Sequence, residues 1–322
     1  MKTVLVSEPM HPDGDELLAT RDDIRVLRAG QNEDLLKEYM PEADGVVIRV
    51  MMLPAELLAT ATNLKVVSRH GVGCDNIDVA HLSKRNIPCA IAVDSNTTSV
   101  VEHVVMMMLS LNKRANQYDA LTRDGQFSQR SKLFTSELYG KHILIVGFGR
   151  IGKRLAPVCK ALGMRVTVSD IALDEVVAAQ QGVETVDDWR SILPNVDYLS
   201  AHVPLDDSTR DLVGKAEIDA LPGHAIVINC ARGGIMNEAA LAAAVQNGKL
   251  AATGADVFVT EPPSPDNPLL ALSDTVSIFT PHNAAGTIES QSRMATYAVL
   301  NVLDGLDGKL TSDRIFNAAD LD

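Results

Sequence analysis

Short runs rich in Val, Ile and Leu recur along the chain, and mixed stretches with apolar residues three and four apart fill the gaps between them. The first series reads TVLVS, IRVL, GVVIRV, LKVVSRH and PCAIAV, with segments such as DGDELLAT and PAELLATATN between them. A second series begins at KHILIVGFG and continues through MRVTVSD, VDYLSAHVP, HAIVINCARGG, AATGADVF and VSIFTPH. Strands covered on both faces read as continuous apolar runs, and their alternation with helical patterns predicts parallel sheets built from βαβ units. Two such series predict an α/β chain with two Rossmann- or flavodoxin-like domains, each a doubly wound parallel sheet.

A helix near 99–115, following the capping cluster Asn96, Thr97, Thr98 and Ser99, links the two series. Beyond Gly286, TIESQSRMATYAVLNVLDGL reads as one long amphipathic helix. It falls too late for the second series, so its return to the first is expected. The expected division is 1–98 plus 287–322 as one discontinuous domain and 99–286 as the other. Two crossing segments imply a cleft with a hinge.

The length of 322 residues suits two domains, and 46% hydrophobic with 22% charged residues is ordinary for globular protein. The formal net charge of −13 argues against nucleic acid or a membrane surface as partner, since both require a positive field. An anionic ligand then requires local arginines. Cys74, Cys89, Cys159 and Cys230 form no C-x-x-C pair, which predicts reduced thiols, a cytoplasmic setting and no metal cage. The opening MKTVLVSE reads as a strand rather than a signal peptide. The most apolar helical stretch, VVEHVVMMMLSL, is too short to span a bilayer and carries Glu102 and His103. Its Val and Met content exceeds that of a solvated helix, so either it belongs to an interface or it is buried within its own chain.

The strongest local signal is KHILIVGFGRIGKRLAPVCKALGMRVTVSD. Gly147, Gly149 and Gly152 form G-x-G-x-x-G directly after an apolar strand and open a helix. The first glycine makes the tight turn, the second lets the backbone approach a pyrophosphate, and the third lets helix and strand pack closely. The free N–H groups of the helix start then face the phosphate. Asp170, at the end of the next strand, suits the ribose hydroxyls and repels a 2′-phosphate, which favours NAD over NADP. Arg150, inside the glycine loop, has two open readings, a phosphate contact or a solvated side chain.

Three motifs close later strands, where open parallel sheets place their ligands: NCARGG with Arg232, ADVFVTEPP with Glu261 and TPHNAAG with His282. Together with SRHGVGCDNIDVA, SNTTSVVEH and HVPLDDSTR they make the chain resemble, over nearly its whole length, the D-isomer-specific 2-hydroxyacid dehydrogenases. That family includes D-3-phosphoglycerate, glycerate/hydroxypyruvate and D-lactate dehydrogenases. The resemblance implies NAD-dependent interconversion of a small anionic 2-hydroxy acid and its 2-oxo acid, with the NAD domain inserted in mid-chain. It implies Arg232, Glu261 and His282 as the catalytic set. It places the main-chain groups of Val72 and Gly73 on the substrate carboxylate, where Arg49, Arg69, Arg232 and His282 are the further candidates. For Arg69 a surface salt bridge stays open. The implied cofactor set is Gly147, Gly149, Arg150, Ile151, Gly152, Asp170, Val203, Pro204, Thr209, Cys230, Ala231, Arg232, Asp256, His282 and Ala284, with Asp256 near the nicotinamide amide. A homodimer built around 99–140 is expected.

The chemistry agrees with the assignment of His282. Hydride transfer at C2 leaves a hydroxyl proton to be taken or given, and histidine titrates in the range that serves both directions. Glu261 can accept from the other ring nitrogen, and Arg232 offers a planar fork to a 2-oxo acid. Other histidines read differently: His103 as packing or interface, and His202 as bonded to backbone near the cofactor. Family members often carry R-S-x-T where this chain has Arg49-Val50-Met51-Met52, and a Trp region is replaced by GQFSQRSKLFTSEL. Both changes argue against a phosphorylated substrate. With no regulatory extension after the last helix, feedback by a bound amino acid is not expected. The alternative on the same fold is an NAD-sensing, co-repressor-like binding protein.

Overall fold

The computed structural model describes residues 1–321, which divide into two units, Met1–Asn96 with the chain from Gly286 onward, and Thr97–Ala285. In the first unit, strands β1 (Lys2–Val6), β2 (Ile24–Arg28), β3 (Gly45–Ile48), β4 (Val66–Arg69) and β5 (Cys89–Ile91) form one sheet in the order β2-β1-β3-β4-β5. All pairs are parallel, with Val4 opposite Val26, Val6 opposite Val47 and Ile48 opposite Arg69. The five apolar runs of the first series are these five strands, and the order is that of a flavodoxin-like doubly wound sheet. The Ile288–Leu306 helix, N-capped by the Thr287 side chain, lies on this sheet. Val299, Val302, Leu303 and Leu306 pack against Val4, Val6, Val47 and Val66, all buried. Their spacing of three and four residues puts them on one stripe of the helix.

The second unit holds seven strands: β6 (His142–Val146), β7 (Arg165–Ser169), β8 (Glu184–Thr185), β9 (Tyr198–Ala201), β10 (Ile226–Asn229), β11 (Ala252–Ala255) and β12 (Ser277–Phe279). Their order is β12-β11-β10-β9-β6-β7-β8, all parallel. Growth runs outward from β6 in one direction and from β9 in the other, so the direction of winding reverses between these two neighbours. A ligand crevice opens at such a reversal, beyond the carboxyl ends of the strands. The glycine motif follows β6 and HVP follows β9.

The Thr97–Lys113 helix starts two residues before the expected 99. Its apolar face turns inward within its own unit: Val100, Val101, Val104, Met107, Met108 and Leu111 are buried against Ile143, Ile145, Leu155, Ile226 and Ile228. Most of its apolar stripe thus covers a face of its own sheet, while Met106 stays exposed. The chain that follows is different. The Ala115–Arg123 helix buries no residue, and Phe127, Phe134 and Tyr139 stand exposed. Among the described residues no helix is long and apolar enough to cross a membrane, and no cluster of His, Cys, Asp or Glu has the make-up of a metal site.

Candidate active site

The glycine loop is shaped by contacts that only glycine permits. Gly147 has φ +98°, and a Cβ there would run into the carbonyl of His202. A Cβ on Gly152 would strike the carbonyl of Gly147, so the loop and the Arg150–Ala161 helix could not close. Beside Gly149 the space is open, and no side chain caps the helix it begins. The first-turn N–H groups of this helix are thus available to an anion. Arg150 is exposed at the helix start.

Asp170 braces the loop as well as facing outward. Its Oδ2 accepts the N–H of Phe148 at 2.6 Å and its Oδ1 that of Ala172 at 2.8 Å. Each carboxylate oxygen retains a lone pair for a ribose hydroxyl. The open backbone at Gly149, the uncapped helix start and this acid fit a dinucleotide.

Around the other motifs the contacts divide between lining and support. Val203 packs against Gly147. The Thr209 hydroxyl donates to the Pro204 carbonyl at 2.6 Å and accepts from the Asp206 N–H at 2.8 Å, closing the turn after β9. Cys230 is buried with its thiol 3.7 Å from the Met107 sulfur, and burial pushes its pKa up, so it is an inert thiol. The Ala231 N–H donates to Asn229 Oδ1 at 3.1 Å. His202 corrects its expectation: Nε2 meets the Ser200 hydroxyl at 2.9 Å rather than backbone, and buried Nδ1 has no hydrogen-bond partner among the described residues. Desolvation lowers its pKa to about 4, so the ring is neutral.

His282 and Glu261 form a close polar pair. His282 Nδ1 lies 2.6 Å from Glu261 Oε2, with the side chains 52% and 36% exposed. Glu261 Oε1 accepts the Phe258 N–H at 3.0 Å, which fixes the carboxylate plane. Glu238 steadies the same loop, accepting the Val259 N–H and an Asn267 amide proton at 2.6 Å each. The hydrogen bond to Glu261 raises the His282 pKa, against desolvation and the nearby Arg232 charge. Burial pushes the Glu261 carboxyl upward, but His282, the Phe258 N–H and Arg232 together hold it below the usual range. With Nδ1–H given to Glu261, Nε2 is the atom left to exchange a proton. Half-buried Arg232 donates to the Ala231 carbonyl at 2.7 Å, and its own carbonyl accepts from Asn229 Nδ2 at 2.8 Å.

The backbone of His282 is left-handed, φ 49°, a costly conformation for a residue other than glycine. Its N–H is held by the carbonyls of Asp256 at 2.7 Å and Thr280 at 3.0 Å. Asp256, 1% exposed, accepts the N–H groups of Asn283 and Ala284 at 2.8 and 2.9 Å. Asp256, expected near the nicotinamide amide, also anchors the His282 loop through its carboxylate.

The first unit has its own loops at the carboxyl edge of its sheet. Glu8 was missed from sequence, since an acid after a strand carries no pattern. It is 4% exposed and accepts the N–H groups of Arg49, Val50 and Met51 at 2.8, 2.6 and 2.6 Å, besides the Ser7 hydroxyl. The Val50 and Met52 side chains stand exposed. Arg69 braces the next loop: Nε donates to the Gly73 carbonyl at 2.8 Å and Nη1 to that of His70 at 2.5 Å. The N–H groups of Val72 and Gly73 have no acceptor among the described residues. His70 is 3% exposed, and desolvation followed by the Arg49 charge lowers its pKa to about 4.

Glycine loop, topological reversal and ribose-facing acid define a dinucleotide-binding α/β protein. Comparison with known proteins narrows the class. Residues 105–284 match the family model described as D-isomer specific 2-hydroxyacid dehydrogenase, NAD binding domain. The chain is 35% identical over 314 residues to a D-3-phosphoglycerate dehydrogenase of Methanocaldococcus jannaschii, covering 97% of this chain and 59% of the relative. It thus spans about three fifths of that relative's length. A hydroxypyruvate reductase of Thermotoga maritima is 32% identical over 306 residues, covering 94% of this chain and 98% of the relative. The solved D-lactate dehydrogenase from Aquifex aeolicus, complexed with NAD and lactic acid, superposes with a TM-score of 0.86 at 27% identity, covering 97% of this chain and 98% of that one. The chain belongs to the D-isomer specific 2-hydroxyacid dehydrogenase family, and its second unit contains that family's NAD-binding domain.

Proposed function

We propose that the protein interconverts a small 2-hydroxy acid, of the D-isomer, and its 2-oxo acid with NAD as cofactor. The observation that carries the reading is the 2.6 Å pair of His282 Nδ1 and Glu261 Oε2 beside Arg232, on the unit that bears the glycine loop. When bound, the cofactor supplies hydride exchange at C2. Gly147, Gly149 and Gly152 with the Arg150 and Ile151 N–H groups hold its pyrophosphate. Asp170 holds its ribose, and Val203, Pro204, Thr209, Cys230, Ala231 and Ala284 border it. His282 Nε2 gives the proton when the 2-oxo acid is reduced and takes it when the 2-hydroxy acid is oxidised. Glu261 holds the ring tautomer and favours the imidazolium. Arg232 pairs with the substrate's carboxylate and carbonyl oxygen. The N–H groups of Val72 and Gly73 receive the carboxylate, and Arg69 keeps their loop in place.

The substrate's far end is small and carries no phosphate. The amides that could cradle a phosphate after β3 are taken by Glu8, and the side chains offered there are Val50 and Met52. Arg49 remains for a carboxylate. The relatives, a dehydrogenase and a reductase, favour catalysis over the co-repressor alternative. Residues 99–140 form the contact of a homodimer, supported by the exposed Phe127, Phe134 and Tyr139. Light scattering at micromolar concentration that reports a monomer overturns the dimer. Four buried cysteines suit the reducing cytoplasm, including Cys74 and Cys89 with sulfurs 3.7 Å apart.

The test is NADH oxidation with hydroxypyruvate, 2-oxoglutarate, oxaloacetate, phosphohydroxypyruvate and sulfopyruvate. Turnover of an unphosphorylated acid at a kcat/KM at least tenfold above that of phosphohydroxypyruvate is expected. Preference for the phosphorylated acid refutes the substrate assignment, and no turnover of any 2-oxo acid refutes the activity.

A further inference from the structure

Beneath the His282 loop runs a chain of side chains that acid–base chemistry does not use. The Thr280 hydroxyl donates to Asp256 Oδ1 at 2.5 Å, since a carboxylate can only accept. The Thr280 hydroxyl oxygen in turn lies 2.9 Å from His103 Nε2, on the Thr97–Lys113 helix. The hydroxyl has one proton and has given it to Asp256, so toward His103 it accepts. His103 therefore carries its proton on Nε2 and donates it. Asp256 Oδ1 is 3.7 Å from that nitrogen, too far for a direct bond.

We propose that His103 is a positioning residue for His282: its Nε2–H locks the Thr280 hydroxyl toward Asp256, whose carboxylate grips the two amides that follow His282. The inference rests on the reading of His282 as the acid–base group. Its logic is mechanical. A left-handed histidine is held only by its surroundings, and Asp256 supplies three of the holding contacts, one from its carbonyl and two from its carboxylate. A carboxylate free to rotate would grip the amides less firmly, and the ring would drift from Glu261. The charged groups facing His282 are Glu261, Asp256 and Arg232. The carboxylate facing His103 is Asp256. A histidine that only fills space on the helix would be insensitive to loss of its N–H.

The experiment compares His103→Leu, His103→Gln and Thr280→Val in the full chain. Imidazole titration by NMR follows His282 without substrate, and stopped-flow reduction with the best 2-oxo acid follows turnover. In His103→Leu the His282 pKa falls toward 6.5 and reduction kcat drops by about tenfold, the scale of a small misplacement at a reacting group. The NADH dissociation constant stays within twofold. His103→Gln, whose amide can donate from a similar position, recovers most of both. The double variant His103→Leu/Thr280→Val is no worse than Thr280→Val alone, because the two residues act through one contact. If the leucine variant does not fold, Thr280→Val breaks the same chain and must lower the His282 pKa. An unchanged His282 titration in a folded variant, additive losses, or a loss confined to NADH affinity each overturn the proposal. If the unaltered enzyme turns over no 2-oxo acid, the activity reading falls, while the NMR titration still decides the positioning role.

Discussion

The two units are built alike and use a buried acid in the same way, yet they leave different groups exposed for chemistry. In the first unit Glu8 takes three successive amides after β3, and in the second Asp256 takes two after β12. What remains in the first unit is a pair of open amides at Val72 and Gly73, with its histidine His70 buried and pushed to about 4. What remains in the second is His282, half-exposed and raised by Glu261. His202, buried without a carboxylate, shares the fate of His70. Burial alone makes a histidine neutral and silent; an exposed ring paired with a carboxylate makes it a proton carrier. The proposed function accordingly gives the open amides of the first unit to the substrate carboxylate, and the cofactor and the proton carrier to the second.

The largest effect should come from removing the reacting group. His282→Ala is expected to lower kcat by roughly 10²–10⁴, the span of a positioned acid–base group, with NADH affinity nearly unchanged. Steady-state kinetics and fluorescence titration of NADH check both halves. A comparable loss in NADH affinity would put His282 in the cofactor site and erase the contrast between the units.

Next comes the binding unit. Glu8→Gln leaves one acceptor oxygen where two served three amides. Stability should fall by about 1–3 kcal/mol in urea denaturation, and KM should rise more than kcat falls. If kcat falls while KM holds, the first unit takes part in the chemical step.

Cofactor choice ranks third. NADH should be preferred over NADPH by at least about tenfold, which corresponds to roughly 1.4 kcal/mol. Asp170→Ala should narrow the gap, although loss of its bond to the Phe148 N–H will also loosen the glycine loop. Equal kcat/KM for the two cofactors in the unaltered protein contradicts the role of Asp170.

The smallest effect is a shift of pH profile. Reduction needs the imidazolium, so its kcat/KM falls as pH rises through the raised His282 pKa, and oxidation climbs over the same range. Glu261→Gln should move the falling limb to lower pH. The pair's effect on stability follows the same signs. The His282 share is present below the unfolded histidine pKa and lost as pH rises through the folded one. The Glu261 share is present above the unfolded carboxyl pKa and lost as pH falls through the folded one. At this exposure the pair is worth below about 1 kcal/mol, so the kinetic limb is the better probe.

Each apolar run of the two series is a strand, because strands covered on both faces must be apolar throughout. The glycine motif and the strand-end positions of Arg232, Glu261 and His282 were equally legible, since short motifs carry their own local geometry. His202 was read less well, and the Thr97–Lys113 helix was left between two readings. An apolar stripe announces burial but not what covers it, and here the cover is the protein's own sheet. Glu8 and the chain from His103 through Thr280 to Asp256 left no trace in the sequence.

The amino-acid sequence by itself determined the order of strands and helices, the dinucleotide loop and the residues able to exchange a proton. These depend on neighbours within a few positions, where periodicity, turn chemistry and capping act. Tertiary structure alone decided which acids face solvent and which grip a loop, and which histidines are silenced. Residue 8 meets residues 49 to 51, and residue 103 meets residue 280, only after the sheets have wound. A hydrogen bond depends on distance and angle in space, and local sequence does not encode these for residues so far apart along the chain.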